Sequence, residues 1–154
     1  MGILKRIKEN LDEKRNISSF ILGSLLNLAF APFFIFPALL VLSLFLYQIV
    51  KSEEQKDAFK IGWFFGFGFY IFNLYWIGVG VSVYIDEFWW AIPFAVILLP
   101  AFLGLYTGLV SYLTFKFKYN GFIVILFAAN WIICEFIRSY LFTGFPWNLI
   151  AYSF

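Results

Sequence analysis

Long stretches without any charged residue alternate with short polar stretches along this 154-residue chain. The charge-free stretches are residues 16–50, 61–85, 88–115 and, up to the interruption at Glu135, 119–134. A helix needs about 20 apolar residues to cross the hydrocarbon core of a bilayer, so stretches of this size predict membrane helices. The pattern therefore predicts an all-α membrane protein with no soluble domain.

The first charge-free stretch is too long for one crossing, because a straight helix of its 35 residues would measure about 52 Å. Pro32 and Pro37 lie near its middle, and proline breaks or ends a helix. We predict a hairpin broken at these prolines, whose second arm either crosses fully or is re-entrant. The whole prediction is a bundle of about five hydrophobic helices, at residues 17–31, 37–50, 61–83, 89–115 and 121–142.

Basic residues predict the orientation of this bundle. They cluster in three stretches, at residues 5–15, 51–60 and 116–118. The hairpin brings all three clusters to one side of the membrane, which the positive-inside rule makes cytoplasmic. The connection predicted on the other side holds Asp86 and Glu87 and no basic residue. The expected division is a cytoplasmic basic tail at residues 1–16 and a transmembrane bundle at residues 17–154.

Composition agrees with a membrane protein and excludes several kinds of chemistry. Hydrophobic residues make up 63% of the chain and charged residues 13%, against about 25% charged in soluble domains, and the mean hydropathy is +0.87. The chain has no histidine, which excludes a Ser–His–Asp relay and a histidine metal site. The net charge of +2 is too small to indicate a nucleic-acid partner. We therefore expect no cofactor, metal or nucleic acid.

Two charged residues, Glu135 and Arg138, interrupt the last apolar stretch. Their spacing of three puts them on one face of a helix. A charge inside a membrane helix costs about 2.5–3.5 kcal/mol on insertion scales, so such residues usually pair or face a wet interior. Two interpretations stay open. The two residues form a neutralised pair that holds the bundle together, or Arg138 binds a lipid phosphate or carboxylate while Glu135 fixes its side chain.

Aromatic and amide residues supply the other candidates for binding. Phe145, Pro146 and Trp147 follow the last helix at the predicted outer interface, where they serve as ordinary membrane anchors or as the lip of a lipid-binding cleft. Asn73 and Trp76 are three positions apart in the third segment, where they contact other helices or a substrate. The pattern does not decide between these roles.

No catalytic residue is assigned. Cys134 is the only cysteine, but the neighbouring Glu135 carboxylate disfavours a thiolate, so we expect Cys134 to pack in the interior. No acid, base and nucleophile occur together in the predicted outer half of the chain. Gly62 and Gly66 have the spacing of small residues that lets two membrane helices approach closely.

Several short motifs occur in order along nearly the whole chain: LAFAPF at 28–33, GWFFGFG at 62–68, NLYWI at 73–77, EFIR at 135–138, TGFPW at 143–147 and AYS at 151–153. Together they resemble the amino-terminal membrane part of apolipoprotein N-acyltransferases. This resemblance implies a multi-pass protein of the bacterial inner membrane, and the basic clusters described above place its N-terminus in the cytoplasm. The resemblance further implies that Glu135, Arg138, Phe145, Pro146 and Trp147 shape the membrane-side floor of a cleft for lipid and lipoprotein.

The resemblance also implies an activity. The family transfers an acyl chain from a phospholipid donor to the α-amino group of the diacylglyceryl-cysteine of an apolipoprotein acceptor. A nitrilase-like domain with a Glu-Lys-Cys triad performs the transfer through a cysteine thioester. None of the triad has a matching position in these 154 residues.

We therefore expect a truncated or split enzyme that is inactive alone and needs a partner chain carrying the nitrilase-like domain. Whether the chain takes part in catalysis is left open. The alternative is a small helical membrane protein with a structural or lipid-binding role.

Overall fold

A computed structural model describes residues 2–141 and 149–153, with side chains from residue 12 onward except at residue 152. All regular secondary structure in this part of the chain is helical, which confirms the predicted fold class. The α-helices are α1 (Gly2–Leu26), α2 (Val41–Val50), α3 (Gln55–Asn73), α4 (Tyr75–Ser82), α5 (Ile85–Phe88), α6 (Leu99–Phe115) and α7 (Ile123–Tyr140). Short 3-10 turns cover Asn27–Ala29, Phe36–Leu40, Trp89–Ala91 and Ile150–Ser153, and a π-helical turn covers Phe94–Leu98.

Two or three helical stretches in the described residues are suited to cross a membrane. Ile85–Phe115 and Ile123–Tyr140 are each long and apolar enough. Helices α3 and α4 pass the same test only as a pair, because the chain bends by 42° between them. The second arm of the predicted hairpin, Phe36–Val50, is a shorter apolar helix.

The first arm differs from the predicted segment at both ends. Helix α1 begins at Gly2, so the basic stretch before Ile17 continues into the arm as one helix. The α-helix ends at Leu26, and a 3-10 turn leads into the proline-containing stretch. The turn that follows is held by the amides of Phe33 and Phe34, which both donate to the carbonyl of Phe30.

The later segments are less regular than continuous helices. Helix α3 ends at Asn73, and Leu74 leaves helical geometry before α4 begins. The π-helical turn Phe94–Leu98 comes shortly before Pro100. Proline lacks an amide hydrogen and its ring clashes with the carbonyl four residues earlier, so a widened turn at this position relieves that clash.

Glycines let the central helices pack closely, as the Gly62–Gly66 spacing predicts. A Cβ atom added to Gly66 would overlap the Thr107 hydroxyl of α6 and would lie 2.9 Å from the Cα of Gly104. On the other side of α3, a Cβ at Gly68 would overlap the carbonyl of Phe20 in α1. Helix α3 is therefore held between α1 and α6 at distances that only glycine permits.

Aromatic rings fill the centre of the bundle. The rings of Phe45 and Phe65 stack with their centres 3.9 Å apart. Trp131 meets both rings edge-on, and Phe127 packs against Trp131. This cluster joins α2, α3 and α7 into one core.

One end of the bundle, here called the Ser52 end, is joined by hydrogen bonds from basic side chains. The Arg15 guanidinium donates to the Ser52 hydroxyl at 3.0 Å, and the Lys118 ammonium donates to the Ser52 carbonyl at 3.1 Å. Gln55 donates to the carbonyl of Tyr112 at 3.0 Å. Residues of all three basic clusters thus lie at the same end of the molecule.

Candidate functional site

The inner face of α7 carries a charged residue among apolar ones. Phe127, Trp131, Cys134 and Arg138 are the buried residues of this helix, and their spacings of four, three and four follow the helical repeat. Arg138 is only 3% exposed. The end of the bundle around this residue is here called the Arg138 end.

Arg138 lies against an aromatic ring of a second helix. Its guanidinium carbon is 5.5 Å from the centre of the ring of Tyr70, a buried residue of α3. A desolvated cation–π contact contributes up to about 2 kcal/mol, which offsets part of the cost of placing arginine in a membrane helix. The same small crevice is lined by Tyr70, Tyr106, Thr107, Val110, Trp131, Cys134, Glu135 and Arg138, so α3, α6 and α7 all contribute to it.

Glu135 fixes a later part of the chain to α7. Its carboxylate accepts a hydrogen bond from the backbone amide of Ile150 at 2.9 Å. The chain therefore returns to α7 after the connection that follows this helix. A charge-assisted hydrogen bond of this kind is stronger than one between neutral groups.

The aromatic candidates of this connection, Phe145, Pro146 and Trp147, lie outside the described residues. Their part in a cleft stays a prediction. The next described element along the chain is the 3-10 turn Ile150–Ser153. Its first amide donates a hydrogen bond to Glu135.

Asn73 and Trp76 meet at a separate cavity, also at the Arg138 end. The cavity measures about 460 Å³ and lies where the turn after α1 faces the bend between α3 and α4. Asn73 follows Tyr70 by three positions on α3, so it lies about one helical turn beyond the Arg138 crevice. The sequence candidates thus fall into two neighbouring groups, one at Arg138 and one at this cavity.

Sequence reasoning did not single out two residues of these groups. Tyr70 carries no charge, and its role depends on a partner on another helix. Asn27 follows the last residue of α1 and donates to the carbonyl of Phe69 on α3 at 3.1 Å. An asparagine near the end of an apolar helix was an available signal for Asn27, whereas the Tyr70 contact had none in the local sequence.

The described side chains hold no group of three or more histidine, cysteine, aspartate or glutamate residues placed to bind a metal ion. Cys134 lies on the buried face of α7 and is 3% exposed. The described side chains at the Arg138 end supply a buried cation, a carboxylate, amides and aromatic rings.

The model of the apolipoprotein N-acyltransferase N-terminal domain matches residues 22–154. The chain belongs to the apolipoprotein N-acyltransferase family. An apolipoprotein N-acyltransferase of Rickettsia bellii is 45% identical over 141 residues, which cover 92% of this chain and 28% of that relative. Relatives of the same name from Brucella melitensis and Rhodopseudomonas palustris are 36% and 32% identical and are covered to 28% and 30% of their length.

These similarities confirm the family resemblance seen in the short motifs. This chain is the membrane N-terminal region of an apolipoprotein N-acyltransferase homologue, and it spans less than a third of the length of the curated relatives it matches. The matched stretch includes the Arg138 crevice and the Asn73 cavity.

Proposed function

We propose that this chain forms the membrane part of an acyltransferase of the bacterial inner membrane. It would hold a phospholipid acyl donor and an apolipoprotein acceptor at the Arg138 end, with its N-terminus in the cytoplasm. The observation that carries the proposal is Arg138 itself, a charged residue that is 3% exposed on a membrane helix whose other buried residues are uncharged. Charges in such positions are costly and usually mark functional sites.

Arginine is suited to this role because its planar guanidinium can give two parallel hydrogen bonds to a phosphate or carboxylate. The ring of Tyr70 lies near the guanidinium and limits its movement. Glu135 supports the same site from one turn earlier on α7, because it fixes Ile150 and so the far end of the aromatic connection. Phe145, Pro146 and Trp147 would then form the lip of the cleft.

The covalent chemistry requires groups outside this site. In the proposed reaction, a cysteine thiolate of a nitrilase-like domain breaks an ester bond of the phospholipid and forms a thioester. The leaving glycerol oxygen takes a proton from the acid–base group of that domain and departs as a lysophospholipid. The α-amino group of the apolipoprotein then attacks the thioester and returns a proton to the same group, which forms an amide and frees the thiolate. Cys134 is buried on the inner face of α7, so we assign the thiolate to a nitrilase-like domain in the same protein or in a partner chain.

The test joins this chain to the part of the Rickettsia bellii relative that lies beyond the match, in a bacterium whose own N-acyltransferase has been removed. N-terminal acylation of a lipoprotein is measured by mass spectrometry. Arg138→Gln should lower the acylation rate at least about tenfold, which corresponds to about 1.4 kcal/mol. The matched control is Arg15→Gln, which removes an arginine at the opposite end and should change the rate much less.

An unchanged rate in Arg138→Gln, with a normal amount of folded protein, would exclude Arg138 from the cleft. The second candidate function is then favoured, a helical membrane protein with a structural or lipid-binding role. The contacts of Arg138 with Tyr70 and of Glu135 with Ile150 are compatible with that role, since both join separate parts of the bundle. Loss of the folded protein in the Arg138 variant would favour the structural role directly.

A further inference from the structure

The cavity of about 460 Å³ beside Asn73 has the size of a ligand site, since such sites measure about 300–1,000 Å³. The turn after α1 forms one wall, and the bend between α3 and α4 forms the other. None of its lining residues carries a charge. They are Asn27, Ala31, Pro32, Phe33, Phe72, Asn73, Tyr75 and Trp76.

Two amide side chains at this cavity each have a buried atom without a hydrogen-bond partner among the described residues. The Asn27 amide nitrogen donates to the carbonyls of Ser24 and Phe69, both at 3.1 Å, which fixes the orientation of the group. This leaves the Asn27 Oδ1 acceptor without a donor and the Asn73 Nδ2 donor without an acceptor. A buried unsatisfied polar atom destabilises a fold, so two at one cavity call for a functional explanation.

The wall opposite Asn73 is irregular backbone with local strain. Phe34 has a φ of 50°, the left-handed region that side chains other than glycine rarely adopt. The amides of Phe33 and Phe34 donate to the Phe30 carbonyl and that of Ile35 to the Leu28 carbonyl, and these bonds hold the strained turn in place. Strained backbone of this kind is concentrated at binding sites, and irregular backbone at membrane depth persists where it is buried or lines a cavity.

We infer that this cavity binds the glycerol region of a monoacyl membrane lipid. A free glycerol hydroxyl supplies the donor that Asn27 Oδ1 needs, and the remaining ester carbonyl supplies the acceptor that Asn73 Nδ2 needs. The glycerol backbone of a diacyl lipid has no free hydroxyl and offers only ester carbonyls, so this region would leave Asn27 unsatisfied. The uncharged, aromatic walls match this neutral part of the lipid and offer no cation for its phosphate.

The inference rests on the proposed function for the kind of ligand, because acyl transfer from a phospholipid leaves a monoacyl lipid. It assigns that lipid a place of its own, about one helical turn beyond Tyr70 and separate from the Arg138 crevice. The two sites can therefore be disabled independently.

The experiment uses the full chain in nanodiscs of phosphatidylethanolamine and phosphatidylglycerol, with a trace of monoacyl phosphatidylethanolamine that bears a diazirine next to its ester. After irradiation, mass spectrometry locates the label. We expect label on peptides that contain Phe33 and Trp76. Asn73→Leu should reduce it about fivefold, the effect of one lost hydrogen bond. The matched control, Asn130→Leu, removes an amide that bonds to Thr114 elsewhere and should leave the label unchanged.

A second variant tests the cavity without removing a hydrogen bond. Ala31→Phe places a ring in the cavity and should abolish the label even if Asn73→Leu folds poorly. Unlabelled monoacyl phosphatidylethanolamine, added in excess over the probe, should displace the label from the cavity. Replacing the same fraction of the nanodisc lipid with a different diacyl lipid should not.

Equal displacement by both lipids would overturn the assignment of a free hydroxyl. Stronger displacement by a lipopeptide would assign the cavity to a peptide instead. Unchanged label in both cavity variants would overturn the site. Arg138→Gln should keep the label, so a loss of acyl transfer with retained label separates the failure of one proposal from the failure of the other.

Discussion

The two ends of this bundle hold their polar groups in different ways. At the Ser52 end, Arg15 and Lys118 reach one turn and bond to its serine directly. At the Arg138 end, helices break at Leu74 and in the turn before Phe36, a cation is buried, and two amides keep unsatisfied atoms. The Ser52 end also has one buried amide oxygen without a partner among the described residues, that of Gln48. The Arg138 end combines such atoms with irregular backbone, and this combination supports the binding region proposed here.

The largest expected effect tests whether the two ends lie on opposite sides of the membrane. Cys134 is the only cysteine and is buried, so Cys134→Ser gives a silent background for single-cysteine variants. A membrane-impermeant maleimide should label nearly all of the Asp86→Cys variant in intact spheroplasts. It should label almost none of the Lys60→Cys variant until the membrane is permeabilised. The positive-inside rule is the reason. The reverse pattern would invert the orientation proposed here.

The next largest effect concerns the close contact between α3 and α6, the two helices that meet at Gly66. Gly66→Ala should destabilise the chain by about 1–3 kcal/mol, because the new methyl group overlaps the Thr107 hydroxyl and lies close to Gly104. The matched control is Gly80→Ala, where nothing lies within 4 Å of the added methyl group. Unfolding in detergent, followed by tryptophan fluorescence, measures both. Equal stability of the two variants would contradict the close approach of α3 and α6.

A smaller effect sharpens the description of the Arg138 end. Tyr70→Leu should lower the free energy of unfolding by about 0.5–2 kcal/mol beyond the loss of packing, because it removes the ring under the guanidinium. Tyr70→Phe keeps the ring and should retain most of the stability. The same unfolding assay applies. A large loss in Tyr70→Phe would show that the hydroxyl, and not the ring, supports Arg138.

The smallest effect is expected at the Ser52 end. Ser52→Ala removes the hydroxyl that accepts from Arg15 and should cost about 0.5–1.5 kcal/mol. Ser43→Ala, on an exposed position of α2, is the matched control and should cost less. Neither change should alter lipid labelling at the Asn73 cavity. A change in that labelling would mean that the two ends are coupled through the bundle.

Much of the fold follows from the apolar stretches, because the need to span the hydrocarbon core dominates every other preference of the chain. Pro32 and Pro37 correctly predict that the first stretch is broken. The bend at Leu74 has no such signal, since neither proline nor glycine stands at the break. Gly78 of α4 lies against Val96 of the later π-helical turn, and such contacts between separate segments are not encoded locally.

The same distinction applies to the candidate site. Arg138 and Glu135 stand out in the sequence because charges are rare in apolar helices. The contacts of these two residues cannot be seen in the local sequence, because Tyr70 lies on a different helix and Ile150 lies beyond the end of α7. Asn27 and Asn73 become a pair only when α1 packs on α3, a contact that brings distant parts of the chain together.

Ser52 also has a consequence for how the protein is assembled. The serine lies 37 residues after Arg15 and 66 residues before Lys118. A ribosome delivers the chain from its N-terminus, so the bond to Arg15 can form as soon as the first hairpin has entered the membrane, while the bond to Lys118 must wait for α6. We therefore expect the short turn at Ser52 to be fixed in two steps, first to the hairpin through Arg15 and later to the helices that are synthesised after it through Lys118.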